Sequence, residues 1–276
     1  MVHGAWNYCS GAPFSTHFVA HAKVAGTGGE APAGSLLFVE PRESYEILPD
    51  WSGDGTLGMQ ASGSNSIRVP ETFVSEHRTV PKDFMFAKPD DMLEGTPGTR
   101  PYGNPMYLGR LMGPFHASLV CTVVGAAWAA VEEYEEIIRG MKTLHDPTLL
   151  RADHVDGQRT LGLALGMADA AEAVLLGVAD RYAEPCNRWA RNGTPLSVED
   201  NLRLRAMAQQ AGKLTCDTVE MLFHAAGSFT TKKGNRLQRY FRDVQMYRSH
   251  SSAQCMDFAA LVGRAHPGKE IGLRGL

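Results

Sequence analysis

The sequence predicts an α+β protein in two parts: an antiparallel β-barrel or sandwich over residues 1–104, then an antiparallel four-helix bundle over residues 105–276. Three observations predict it. Glycine, proline, serine and threonine are dense up to Gly103, with short β-favouring runs between them. From about Pro105 the composition turns to Ala, Leu, Met and Glu. Beyond that point apolar residues recur at helical spacing over four long stretches.

In the first part, residues 16–24 alternate, with Phe18, Ala20, Ala22 and Val24 on one face and His17 and His21 on the other. Strands are expected again over residues 35–40, 66–69 and 72–80, separated by turn signals at 26–29 and 49–55. Two histidines with no third ligand make a weak metal site, so His17 and His21 are expected to face solvent.

In the second part, residues 105–114 read as a hinge, and 116–141 as a long helix with small residues at Gly125, Ala126, Ala127, Ala129 and Ala130. Its acidic group, Glu132, Glu133, Glu135 and Glu136, reads as a solvated face. A helix over 156–192 carries Leu163, Met167, Ala170, Val174 and Val178 as its apolar stripe and stops at Gly193-Thr194-Pro195. A helix over 197–226 opens on Ser197 with Asp200 three residues on, a capping-box variant, and is expected to bury Leu202, Met207, Leu214 and Met221. A last helix over 237–263 carries His250. Short connections make antiparallel packing natural, and the absence of paired ExxH motifs excludes a di-iron bundle.

Composition narrows the function. A net charge of −3 over 276 residues gives no electrostatic case for nucleic acid or an anionic membrane. The longest apolar run, 119–131, falls short of a bilayer span, and the N-terminus does not read as a signal peptide. Five dispersed cysteines with no CxxC pair argue against zinc or a disulfide framework and for a reducing compartment, so a cytoplasmic protein is expected.

The chain is organised around residues 224–250, where Ala225-Ala226-Gly227-Ser228 ends one helical pattern and Leu237-Gln238-Arg239-Tyr240-Phe241-Arg242-Asp243 opens the next. The turn between them carries Thr230, Thr231, Lys232, Lys233 and Arg236. It reads either as a polar loop or as hydroxyls and cations able to meet a phosphate. With His250 following, this stretch resembles the C-terminal domain of flavin-dependent monooxygenases of the acyl-CoA dehydrogenase fold. That group includes the oxygenase components of p-hydroxyphenylacetate hydroxylases and the dibenzothiophene monooxygenases. Gly4-Ala5-Trp6-Asn7-Tyr8-Cys9-Ser10-Gly11 is similar to the family's G-x-W-x-x-x-S-G strand. Gly58-Met59-Gln60-Ala61-Ser62-Gly63-Ser64 is similar to its G-x-x-x-T-G-S strand, with Val80-Pro81 after it.

The resemblance implies a middle β domain and a C-terminal bundle in that order, with no counterpart of the family's helical N-terminal domain. It implies that Ser10, Ser62 and Ser64 face flavin or substrate, that His17 touches substrate, and that Arg110 holds the flavin phosphate. It also implies that Gly227 and Ser228 meet the cofactor from a neighbouring subunit. His250 matches the histidine that donates to the distal oxygen of a flavin C4a-(hydro)peroxide or takes a phenolic proton. A dehydrogenase of this fold needs a carboxylate base. Neither Tyr247-Arg248-Ser249-His250-Ser251-Ser252 nor Gly113-Pro114-Phe115-His116 supplies a glutamate, which favours an oxygenase. With no dinucleotide fingerprint, reduced FMN or FADH2 is expected from a separate flavin reductase, with O2 as co-substrate, no metal, an aromatic or polyketide-like substrate and a homotetramer. The alternatives are an acyl-CoA dehydrogenase-like flavoenzyme with a relocated base, and a non-catalytic fragment or partner subunit of the same fold.

Overall fold

The computed structural model describes residues 1–25, 34–51, 53–80, 98–110 and 112–271. The chain divides into two compact units, Met1–Ala87 and Lys88–Leu276. The division falls ahead of the 104/105 boundary that composition suggests, and two helical turns precede the first long helix. They are α1 (Thr99–Tyr102) and the 3-10 turn Pro105–Leu108. The second is tied to the helical unit by the Tyr182 hydroxyl, which donates to the Met106 carbonyl at 3.0 Å. The expected turn at 26–29 and the Pro81 of the second motif lie outside the described residues, as does Ser52 within the turn at 49–55.

The first unit holds two three-stranded antiparallel sheets. One has the order β1 (Val2–Trp6), β5 (Ile67–Thr72), β4 (Glu46–Ile47); the other has β2 (His17–Val24), β3 (Gly34–Pro41), β6 (Thr79–Val80). Alternation on β2 sends Phe18 and Ala20 inward, where they join Phe38, Tyr45, Ile67 and Val69 in one core. Trp6 meets Phe18 and Phe38 edge-on, at 5.6 and 5.4 Å, and its indole N–H donates to the His21 carbonyl at 2.8 Å. A large ring can therefore be half-buried with its polar atom satisfied. Two expectations are corrected here. Residues 72–80 are not one strand: a 3-10 turn, Glu76–Arg78, leaves only Thr79–Val80 in the sheet. Residues 58–66 are not a strand either. Met59 and Gly63 both take left-handed backbone, φ 51° and 54°, around the turn Gln60–Ser62. That places the serines on a loop.

The second unit is α-helical. Its long helices are α2 (Met112–Gly140), α3 (Val155–Asn192), α4 (Val198–Ala226), α5 (Arg236–Arg248) and α6 (Cys255–Ala265). α4 is central and packs along α2, α3, α5 and α6. The single helix expected over 237–263 is two. Ser249, Ser251 and Ser252 offer the backbone local alternatives to the helix, and the 3-10 turn Ser251–Ala253 breaks it. Helix α2 starts earlier than expected, at Met112, since a proline is tolerated in a first turn.

The core stripes also differ from expectation. On α3 Val178 is buried as expected, but the neighbouring buried positions are Ala164, Ala168 and Ala171, while Leu163 and Leu176 stay exposed. On α4 they include Leu202, Leu204, Ala208, Ala211, Val219 and Leu222 rather than Met207, Leu214 and Met221. Small residues let helices approach closely, so alanines share these contacts with the larger apolar residues. By length and composition alone α2 and α3 are apolar enough to cross a membrane, more than the 119–131 run suggested. In this fold they pack against α4 and against each other. The acids of α2 have cationic partners, Glu135 with Arg139 and Glu133 with Arg236.

The end of α4 is held by Arg151, whose guanidinium donates to the carbonyls of Ala225 (2.5 Å) and Ala226 (2.6 Å). A cation on the last carbonyls satisfies acceptors that lack an intrahelical partner and opposes the helix dipole. Replacing Arg151 with methionine is expected to cost about 2 kcal/mol. An unchanged urea midpoint, followed by far-ultraviolet ellipticity, would remove this role.

Candidate functional site

Each unit carries one group of candidate residues. In the first unit two loops meet. Tyr8 and Gly11 take left-handed backbone, φ 59° and 81°, and turn the chain after β1 so that the Gly11 N–H donates to the Ser62 carbonyl at 2.8 Å. The Cys9 N–H donates to the Asn65 carbonyl at 3.1 Å. This pairing brings together three hydroxyls that are distant in sequence. Ser10 and Ser64 lie 2.8 Å apart, and so do Ser62 and Ser64. Ser64 is buried, Ser62 half-buried and Ser10 exposed. Three hydroxyls supply three protons and the two internal bonds use two, so one proton of the trio remains to be donated outward.

The loop beneath is braced by Asn65, whose amide donates to the Leu48 carbonyl at 2.7 Å, and by Asp50, which accepts the Ser66 N–H at 2.8 Å. Hydrogen bonding from the Ser66 side chain and then from its N–H holds the Asp50 carboxyl below its usual range. An open cleft of about 350 Å³, lined by Phe14, Trp51, Gln60 and Gly63 among others, flanks the serines. His17 is not part of the trio. It is exposed on β2, with Nδ1 3.0 Å from Thr16 Oγ1.

In the second unit His250 sits in the break between α5 and α6, not on a helix as expected. It caps the turn Ser251–Ala253, its Nδ1 accepting the Ser252 N–H at 3.0 Å. A backbone N–H can only donate, so the neutral ring carries its proton on Nε2. Burial pushes the His250 pKa down, which favours that neutral form at pH 7. Below it lies a polar cluster. His116 of α2 is 5% exposed, stands edge-on to Phe258 of α6 at 5.1 Å, and has its pKa pushed down to about 4. Burial is the main cause, with the charges of Arg205 and His250 adding to it. The Arg205 guanidinium lies over the Phe258 ring at 4.5 Å.

The remaining candidates are spread through the helical unit. Arg110 uses its Nε to donate to the Leu196 carbonyl at 3.2 Å. Gly227, φ 105°, turns the chain out of α4 where a side chain would be strained, and Ser228 opens the turn Ser228–Thr231. The threonines of the basic turn spend their protons inside it, Thr230 on the Gly227 carbonyl and Thr231 on the Ser228 carbonyl. They are thus not free donors for a phosphate. Among the described residues no group of three or more His, Cys, Asp or Glu is arranged to hold a metal ion.

Sequence reasoning missed Gln209. It is 2% exposed on α4 and donates from its side chain to the Ser252 carbonyl. A signal was present. Asn201, Arg205 and Gln209 are spaced four apart on one stripe of a helix, a polar stripe that turns out to be buried.

Two sheets of short strands followed by a helical unit, with the chain broken at His250, define an acyl-CoA dehydrogenase type of architecture. A family model described as acyl-CoA dehydrogenase, C-terminal domain, matches residues 117–255, and the chain belongs to that family. Among curated proteins it is 29% identical over 265 residues to a pigment production hydroxylase of a Rhodococcus species, covering 94% of this chain. It is 27% identical over 261 residues to the flavin-dependent monooxygenase oxygenase subunit HsaA of Rhodococcus jostii, covering 91% of this chain. The chain spans 62% of the length of each of these two relatives. Among solved structures, XiaF from a Streptomyces species in complex with FADH2 and glycerol matches with a TM-score of 0.82 at 22% identity, over 97% of this chain and 64% of that one.

Proposed function

We propose that this protein is the oxygenase component of a two-component flavin-dependent monooxygenase that hydroxylates an aromatic or polyketide-like small molecule. The observation that carries the reading is the α5–α6 connection, which presents a neutral imidazole N–H at His250 and no carboxylate. A dehydrogenase of this family needs a carboxylate base; an oxygenase needs a donor. The names of the relatives, including a resorcinol hydroxylase and a p-hydroxyphenylacetate 3-hydroxylase oxygenase component, support the same reading.

Reduced flavin, FMN or FAD, would supply the electrons that activate O2. The serine trio fits such a ligand, because it has one proton left to donate and small side chains that leave room for a ring. Either Ser10 or Ser62 would donate that proton to a ring acceptor, with Ser64 carrying the hydrogen bond from the other. Gly227 and Ser228 would approach the cofactor of a neighbouring subunit through backbone and hydroxyl, and Arg110 would hold a flavin phosphate. His250 would act as a hydrogen-bond donor through Nε2. With Nδ1 already accepting from Ser252, the neutral ring has no vacant nitrogen to take a phenolic proton, so the donor role is the one its geometry supports. His17 is the weakest member of the set and would act only through substrate. A separate reductase, a tetrameric assembly and a cytoplasmic location complete the proposal.

The test is anaerobic titration of the full chain with reduced FMN and FADH2, followed by mixing with O2 and a panel of phenols. Saturable binding and hydroxylated product are expected. Ser64→Ala should weaken flavin binding by roughly tenfold, the worth of one hydrogen bond. Absence of binding by either flavin would sink the reading.

A further inference from the structure

Resting on the oxygenase reading, we propose that Gln209 is a positioning residue for His250, holding the imidazole in the form that carries its proton on Nε2. The contacts run in one direction. The Cys255 thiol, at the start of α6, lies 3.5 Å from Gln209 Oε1 and donates to it. That contact, together with the carbonyl facing it, turns the Gln209 amide so that its NH2 group donates to the Ser252 carbonyl. The Ser252 N–H, on the adjacent peptide, then donates to His250 Nδ1 at 3.0 Å. The His250 N–H donates in turn to the Tyr247 carbonyl at 2.9 Å, closing the turn onto α5.

Each link is built into the fold. Gln209 is 2% and Ser252 2% exposed, so neither can exchange its partner for water without opening the helical unit. Burial pushes the Cys255 thiol pKa up, so the group stays a thiol and keeps the proton it donates. The device takes a residue from the central helix, which packs against four others, and uses it to set a ring in the break between two shorter ones. A turn of three residues has little rigidity of its own. Anchoring its carbonyl to α4 lets the rest of the unit determine which nitrogen of His250 is the donor.

The experiment uses the full chain labelled with 15N-histidine, with the His250 ring signals assigned by their loss in His250→Gln. In the wild type the neutral ring is expected to be protonated on Nε2, roughly tenfold over the other tautomer. In Gln209→Met, of similar length but with no donor, the ring should move toward the mixture of a free imidazole while far-ultraviolet ellipticity is unchanged. Gln209→Asn keeps the amide but cannot reach, and should behave the same; it serves if the methionine variant fails to fold. A wild-type ring already mixed, or a folded variant with the wild-type tautomer, overturns the proposal. The measurement needs neither flavin nor substrate. A locked ring in a chain that binds no flavin would refute the oxygenase reading and leave the lock standing. A flavin-binding chain with a mixed ring would do the reverse.

Discussion

Gly157→Ala is expected to destabilise the helical unit by about 3 kcal/mol, the upper part of the usual range for overpacking. A Cβ at Gly157 would stand 2.1 Å from the Arg151 carbonyl oxygen. That atom is backbone and cannot swing aside as a long side chain can. The residues around it are tied on both sides, with the Arg151 N–H donating to Met141 (2.8 Å), the Ala152 N–H to Ile138 (3.0 Å), and the Arg151 guanidinium capping α4. Relief of the clash must therefore move either the start of α3 or the cap of α4. For a unit of this size the melting temperature should fall by roughly 10 °C. Gly166→Ala is the matched control. It lies on the exposed side of the same helix with nothing within 4 Å of the new Cβ. Helix propensity alone then applies, and stability should rise by about 0.5–1 kcal/mol. Equal melting temperatures for the two variants would show that the approach at Gly157 has no energetic consequence.

Acidification should destabilise the protein through His116 before most carboxylates titrate. The His116 pKa is pushed from its ordinary value of 6.5 down to about 4. Its neutral form is therefore favoured in the fold, and the unfolded chain binds the additional proton between those two values. Stability from this group is fully present above pH 6.5, declines as pH falls, and is lost by about pH 4. The size is on the order of 3 kcal/mol. The side chain is deeply buried, with Arg205 on α4, Phe258 on α6 and His250 in the adjoining turn facing it, so solvent does little to screen the penalty. Depressed His250 adds in the same direction, while Asp50 and Asp146, held below the usual carboxylate range, act only at lower pH. His116→Phe retains the ring contacts and removes the titration. Urea unfolding at pH 7 and pH 4 should show the wild type losing about 3 kcal/mol more than the variant. Parallel losses would place His116 outside the acid response.

The parts of the candidate site legible in the sequence were those carried by short local motifs. Ser10, Ser62 and Ser64 stand in two glycine-flanked segments, and the structure joins them as a hydroxyl trio. His250 was visible as a histidine carried on the last helical pattern. Its surroundings were not, because serines at 249, 251 and 252 break a helix only where the packing offers their turn a better place. Gln209 was overlooked since a glutamine among apolar neighbours reads as a surface residue until another element is laid over it. The aliphatic stripes of α3 and α4 were misjudged for a related reason. Periodicity marks where apolar residues recur, but whether Leu163 or Ala164 faces the partner depends on how closely the helices approach.

The sequence by itself indicated a β part followed by a helical part, and within the helical part the long helices α2, α3 and α4. Those follow from local propensity, turn chemistry and composition, which act over a few residues. The tertiary structure alone decided that three serines share hydrogen bonds across 54 positions of chain, and that α4 carries a polar stripe inward. It alone decided that a buried amide reaches the backbone 43 residues away, beside the nitrogen of His250. Such contacts arise from the packing of distant segments, and no local rule of sequence encodes them.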